Sequence, residues 1–179
     1  VVGLADAERS WMVGFGTIVL ATGARDLAMA FPGWNQPGVM GAAALQMLLT
    51  RYDAFAGRRV LVLGSHDLAL ETALVAQARG IEVAGLIEVR DVPQGSADLV
   101  AQVKAAGISI TCGTTIASAK GGIDGVESAT LTSGETIACD TVCVAIGLVP
   151  SIELVDAMHG PRALNPTRGG YVPAGEASV

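Results

Sequence analysis

A chain of 179 residues with a net charge of −6 and only 4% aromatic residues offers neither the basic surface nor the stacking platform that nucleic-acid binding needs. Hydrophobic residues make up 51% and the mean hydropathy is +0.51, yet the sequence predicts no membrane span. It contains no uninterrupted apolar run of about 18 residues. The excess lies in Ala, Val, Leu and Ile, which suits strands buried on both faces of a parallel sheet.

Taken in order, residues 1–4 and 11–20 read as two strands joined by a polar turn at 5–10, the second ending in Ala21-Thr22-Gly23. A loop stiffened by Pro32 and Pro37 follows, then an Ala- and Leu-rich helix from about residue 38 to 52. The short apolar run 60–63 ends at Gly64, a helix is predicted over 67–79 and closed by Gly80, and a second apolar run, 83–87, ends on Glu88. Strand, glycine turn, helix, strand and acidic tip are the parts of a βαβ dinucleotide-binding unit. The helix start offers unpaired N–H groups and the positive end of its dipole to a pyrophosphate, and the carboxylate answers the ribose hydroxyls.

The glycine pattern is incomplete. Gly64 and Ala69 hold its first and third places with Ser65 between them, but His66 stands at the second, where a side chain crowds the phosphates. Asp67, read as an N-cap, would satisfy the first helical amides itself and put a negative charge where an anion should sit. Glu88 reads as a ribose ligand or as an ordinary strand-end acid. As a ligand it prefers NAD to NADP by repelling a 2′-phosphate, a preference that Arg90 could soften. His66 reads as a turn residue, a residue that blocks the site, a base or a metal ligand; no second ligand lies near it in sequence. Glu71 reads as a helix-surface acid or as a group packing toward the nicotinamide.

Beyond Glu88 the pattern predicts a loop at 90–95, a helix over 96–106 with Ser96 as N-cap and Gly107 after its end, and a third parallel strand at 108–111. Alternating segments at 114–119, 126–131 and 135–138 read as a β-meander, and 140–145 as a strand returning to the sheet. A turn at 147–150, a short helix at 152–158 and irregular chain over 161–179 complete the reading. Cys112, Cys139 and Cys143 make no CxxC pair and fit reduced, buried thiols of a cytoplasmic protein. No Ser–His–Asp set, metal spacing or Tyr-x-x-x-Lys pair is present, so no catalytic or metal-ligating residue is assigned.

The ordered set TIVLATGAR, FPGWNQPGVM, the βαβ unit, CDTVCVAIGLVPSIEL and NPTRGGYVP resembles the pyridine nucleotide-disulfide oxidoreductase family, flavoproteins that bind two dinucleotides. It is most similar to the FAD-containing α subunits of amine-oxidising members, of the sarcosine oxidase, opine dehydrogenase and hydrogen cyanide synthase kind. The resemblance implies that Thr22-Gly23 and Ile146-Gly147 mark the crossings between an FAD domain and an inserted NAD domain. Gly64, Ser65, His66, Ala69, Glu88 and Arg90, with Ile146 and Gly147, would then face the dinucleotide.

The expected fold is α/β: a Rossmann-like NAD-binding domain with a parallel sheet of about four strands, helices on both faces and a β-meander. Partial FAD-domain segments stand at both ends. The expected domains are 1–50 from the FAD domain, 51–148 binding NAD(P), and 149–179 returning to the FAD domain. The family's first glycine-rich unit would precede residue 1, and its FAD-binding Asp would follow residue 179. The expected function is NAD(H) binding within an FAD-dependent amine- or imino-acid-oxidising enzyme, in a fragment inactive alone. Its expected partners are the dinucleotide, the rest of the FAD domain and other subunits. The alternative is a degenerate, nucleotide-free domain that docks within a heteromeric oxidoreductase.

Overall fold

The computed structural model describes residues 1–168 and 170–175. The chain divides into two compact units, one of residues 1–24 with 150–179 and one of residues 25–149. Its first elements are β1 (Val2–Ala5), β2 (Ser10–Val13), β3 (Ala24–Asp26), β4 (Val39–Gly41) and α1 (Ala42–Met47). The βαβ region follows as β5 (Arg59–Leu63), α2 (Asp67–Ala78), β6 (Glu82–Glu88), α3 (Ala97–Ala105) and β7 (Ile110–Cys112). Then come β8 (Ile116–Gly122), β9 (Gly125–Leu131), β10 (Thr136–Ala138), β11 (Thr141–Val144) and β12 (Leu148–Pro150). The last are α4 (Glu153–Ala157), β13 (Arg162–Asn165) and β14 (Gly170–Pro173).

The larger unit is built on a five-stranded parallel sheet in the order β4-β11-β5-β6-β7. Strand β5 alternates strictly. Val60 and Val62 of β5 point into one core with Leu45 of α1, Leu70 and Ala73 of α2 and Val103 of α3. Leu61 and Leu63 point into a second core with Ile116, Val126, Ala129 and Leu131 of the antiparallel meander β8–β10. That period of two is why the strands are apolar at every position: each face has its own cover. Burying one such Leu side chain is worth about 1.5–3 kcal/mol.

The expectation of helices on both faces is corrected here. Among the described residues α1, α2 and α3 all pack on one face, and the meander covers the other. Any apolar surface satisfies a buried sheet face, and the meander presents one.

The sheet also has a fifth strand. Residues 39–41 do not open the helix expected from residue 38; they pair with Val142, Cys143 and Val144 of β11, and α1 starts after them. The helix then widens into a π-helical turn, Leu48–Tyr52, ending at Asp53 in the left-handed region (φ 47°). Residues 25–50 therefore join the larger unit, with β4 in its sheet and Gln46 Nε2 donating to Thr72 Oγ1 of α2 at 2.9 Å.

The smaller unit contains the β1–β2 hairpin, whose turn is closed by Asp6 Oδ1 accepting from the amides of Glu8 (2.8 Å) and Arg9 (2.7 Å). The expected strand at 11–20 stops at Val13, before Gly14 and Gly16. The region expected to be irregular contains the β13–β14 hairpin, pairing Leu164 with Tyr171; residues 169 and 176–179 of that expectation lie outside the described residues. No helix among the described residues is long and apolar enough to cross a membrane.

Candidate functional site

At the carboxyl ends of β5 and β6 the larger unit opens a cleft of about 350 Å³. Gly64, His66, Glu88, Arg90 and Ile146 line it, together with Met29, Leu63, Gln94 and Thr115. The end of a parallel sheet is where an α/β fold leaves room for a ligand, because the helices have turned away and only loops remain.

The turn that makes the cleft requires a glycine. Gly64 has φ 117°, its N–H donates to Ile87 O at 2.8 Å, and a Cβ built on it would lie 2.0 Å from Ala145 O. Backbone passes so closely there that β5 and the chain after β11 meet at the cleft floor. His66 is the N-cap residue of α2 and gives it no side-chain cap; its carbonyl accepts from Ala69 N (2.9 Å) and Leu70 N (3.1 Å). No hydrogen bond among the described residues occupies the N–H groups of His66, Asp67 and Leu68. These are the orphan donors of a helix start.

Asp67 departs from the N-cap expectation. It is the first helical residue, and its Oδ1 accepts from Ser96 N at 2.7 Å, so its carboxylate ties down the loop before α3 and caps nothing in its own helix. Gly95 packs against the same turn: a Cβ there would come within 2.4 Å of Leu70 Cδ1 and 3.0 Å of Ser65 O. Residues 89–96 are thus drawn over the glycine turn, an arrangement spread over some thirty positions of sequence and carried by no local motif.

Glu88 is buried, 6% exposed, at the tip of β6. Burying a carboxylate is costly unless donors meet it. Here Ser65 Oγ donates to Oε2, and Arg90 N donates to Oε1 at 3.0 Å. The Arg90 guanidinium donates to Gln94 Oε1. His66 is half-buried, with Nε2 shielded and without a hydrogen-bond partner among the described residues. Burial holds its imidazole below the ordinary 6.5, against the opposing pull of the Asp67 and Glu88 carboxylates.

Of the residues singled out in sequence, Gly64, His66, Glu88, Arg90 and Ile146 come together in the cleft wall. Ser65 lies wholly buried behind it. Ala69 is buried in the core facing the sheet, and Gly147, whose O accepts from Leu27 N at 2.9 Å, is not part of the lining. Met29, Gln94 and Thr115 were missed; only folding brings them there. A separate cavity of about 400 Å³, lined by Asp53, Arg58 and Arg79 among others, lies by the π-helical turn. No group of three or more His, Cys, Asp or Glu side chains among the described residues could hold a metal ion.

A parallel sheet with a glycine turn, an open helix start and an acid at the next strand tip defines a Rossmann-like α/β domain. Comparison with known proteins narrows this. Residues 4–172 match the pyridine nucleotide-disulphide oxidoreductase family, and the chain belongs to that family. It is 29% identical over 170 residues to sarcosine oxidase subunit alpha of Rhizobium meliloti (strain 1021), covering 94% of this chain and 16% of that protein. To rhodocoxin reductase of Rhodococcus erythropolis it is 34% identical over 151 residues, covering 76% of this chain and 34% of that one. A ferredoxin reductase from Rhodopseudomonas palustris superposes with a TM-score of 0.66 at 26% identity, over 87% of this chain and 40% of that one. The chain therefore spans well under half the length of each of these relatives. The family is one of FAD- and NAD(P)-dependent oxidoreductases.

Proposed function

We propose that the cleft binds the adenosine diphosphate half of NAD(H), in an FAD-dependent oxidoreductase that oxidises an amine or imino acid. The observation that carries the reading is Glu88, a buried carboxylate fixed at the tip of β6 and bordering the same cleft as the Gly64 turn. The residues present fit such a ligand. Gly64 permits the tight turn into α2 and the close pass of Ala145, the start of α2 offers unoccupied N–H groups to a pyrophosphate, and Glu88 retains lone pairs for ribose hydroxyls. A cleft of about 350 Å³ lies within the range of small-molecule sites.

When bound, the nicotinamide supplies a hydride donor or acceptor, and the chemistry is the cofactor's. This chain binds and orients: the turn of Gly64 to His66 seats the phosphates, Glu88 selects NAD over NADP, and Ile146 closes the cleft on an apolar side. Segments 1–24 and 150–179 belong, on this reading, to the FAD domain, and residues 25–149, with β4 in their sheet, form the nucleotide domain. The amine-oxidising assignment is supported by the 29% identity to a sarcosine oxidase subunit, whose name also makes partner subunits the expected setting. Three free cysteines fit a reducing, cytoplasmic compartment.

A specific observation favours a second reading: the His66 ring lines the cleft where the pattern has a glycine. In that reading the site is closed and the domain is a docking module. Calorimetric titration of the chain with NADH and NADPH separates the two. Binding of NADH that weakens in Glu88→Ala supports the nucleotide site. Absence of binding by the natural chain, restored in His66→Gly, supports closure.

A further inference from the structure

The residue between the first two positions of the glycine pattern contributes no side chain to the cleft, yet its hydroxyl and its carbonyl are both tied by hydrogen bonds. Ser65 is 0% exposed. Its Oγ accepts from Gln94 N at 3.0 Å, and its carbonyl accepts from Gly95 N at 2.8 Å. A serine hydroxyl has one proton, and with its lone pairs facing an N–H that proton points elsewhere. The acceptor it meets is Glu88 Oε2. The carboxylate can only accept, so the hydroxyl donates to it, and the loop fixes where that hydroxyl sits: Gln94 orients Ser65, and Ser65 orients Glu88. The other carboxylate oxygen is held by Arg90 N at 3.0 Å.

We infer that Ser65 is the positioning residue for Glu88, and that through this contact it sets the preference of the cleft for NADH over NADPH. The inference rests on the dinucleotide reading above and adds to it the group that decides between the two cofactors. A carboxylate discriminates against a 2′-phosphate only where its charge stays put. Arg90 lines the same cleft, and with Glu88 free to swing aside its guanidinium is the natural partner for that phosphate. Ser65 prevents this by fixing the anion, and the loop 89–96 prevents it again by engaging Arg90 Nη1 with Gln94 Oε1.

The test measures dissociation constants for NADH and NADPH with the 179-residue chain, Ser65→Ala, Glu88→Gln and the double variant. Circular dichroism verifies each fold, and Ser65→Gly serves as a second variant of the same position. In Ser65→Ala the NADPH-to-NADH ratio of dissociation constants is expected to fall about tenfold toward that of Glu88→Gln, the scale of one hydrogen bond to a charged group. In the Glu88→Gln background, removing Ser65 should change the ratio no further. Equal weakening of both nucleotides in Ser65→Ala, with the ratio unchanged, overturns the inference and leaves the nucleotide reading standing. A natural chain that binds neither nucleotide overturns the nucleotide reading itself.

Discussion

Gly64 and Ala145 approach each other so closely that a Cβ on the glycine would stand 2.0 Å from the alanine's carbonyl oxygen. The first residue of the glycine pattern is thus hemmed in by the chain that follows β11 as well as by its own turn. Gly64→Ala should be destabilised by more than about 3 kcal/mol, combining a left-handed φ of 117° with a backbone clash. Gly134→Ala is the control: φ is 91°, but nothing lies within 4 Å of an added Cβ, so only conformational strain of about 1–2 kcal/mol is expected. Urea unfolding of both variants measures the difference.

The His66 imidazole gives stability a pH dependence of definite sign. Burial lowers its pKa in the folded state below the ordinary 6.5, so the unfolded chain binds the proton more readily. Its contribution is fully present above about pH 6.5 and is lost as pH falls through the folded pKa. The urea midpoint of the natural chain should therefore drop more between pH 8 and pH 5 than that of His66→Asn. Parallel curves would show that the ring titrates alike in both states.

The same ring should limit nucleotide affinity. His66 lines the cleft beside the open amides of α2, and its backbone (φ −77°, ψ 174°) makes no demand for a particular side chain. His66→Gly is expected to tighten NADH binding about tenfold. Weaker binding in the variant would mean that the imidazole is itself a contact.

The thiols should be unequal. Burial raises Cys143 to about 12 and Cys139 to about 11, the neighbouring carboxylates of Asp26 and Asp140 adding to the effect. Cys112 is raised too, but it is only partly buried. Because the thiolate is the reactive form, an aromatic disulfide reagent at pH 8 should label Cys112 and spare the other two until the chain is unfolded. Labelling of Cys143 in the folded chain would contradict the core assignment.

Much of this architecture was legible in sequence because local chemistry agreed with the fold. The runs ending at Gly64 and Glu88 became β5 and β6, the helix between them became α2, and the three alternating segments after Gly113 became the meander. Strand β4 was hidden, since three residues after Pro37-Gly38 merge into an alanine-rich helix unless their partner Val142 is known. What covers each sheet face was equally hidden: alternation of Val60 and Leu61 says that both faces are buried and does not say by what. Asp67 reads locally as a cap, but Ser96 N competes for it from 29 residues away. The roles of Ser65 and Gln94 likewise exist only after loop 89–96 has closed over the turn.

The central claim concerns where a dinucleotide sits, and amide chemical-shift mapping of the ¹⁵N-labelled chain during an NADH titration tests it most directly. The expected result is a set of perturbations concentrated on Gly64, Ser65, His66, Glu88, Arg90 and Ile146. Perturbations centred on Asp53, Arg58 and Arg79, or none at saturating NADH, would contradict the account.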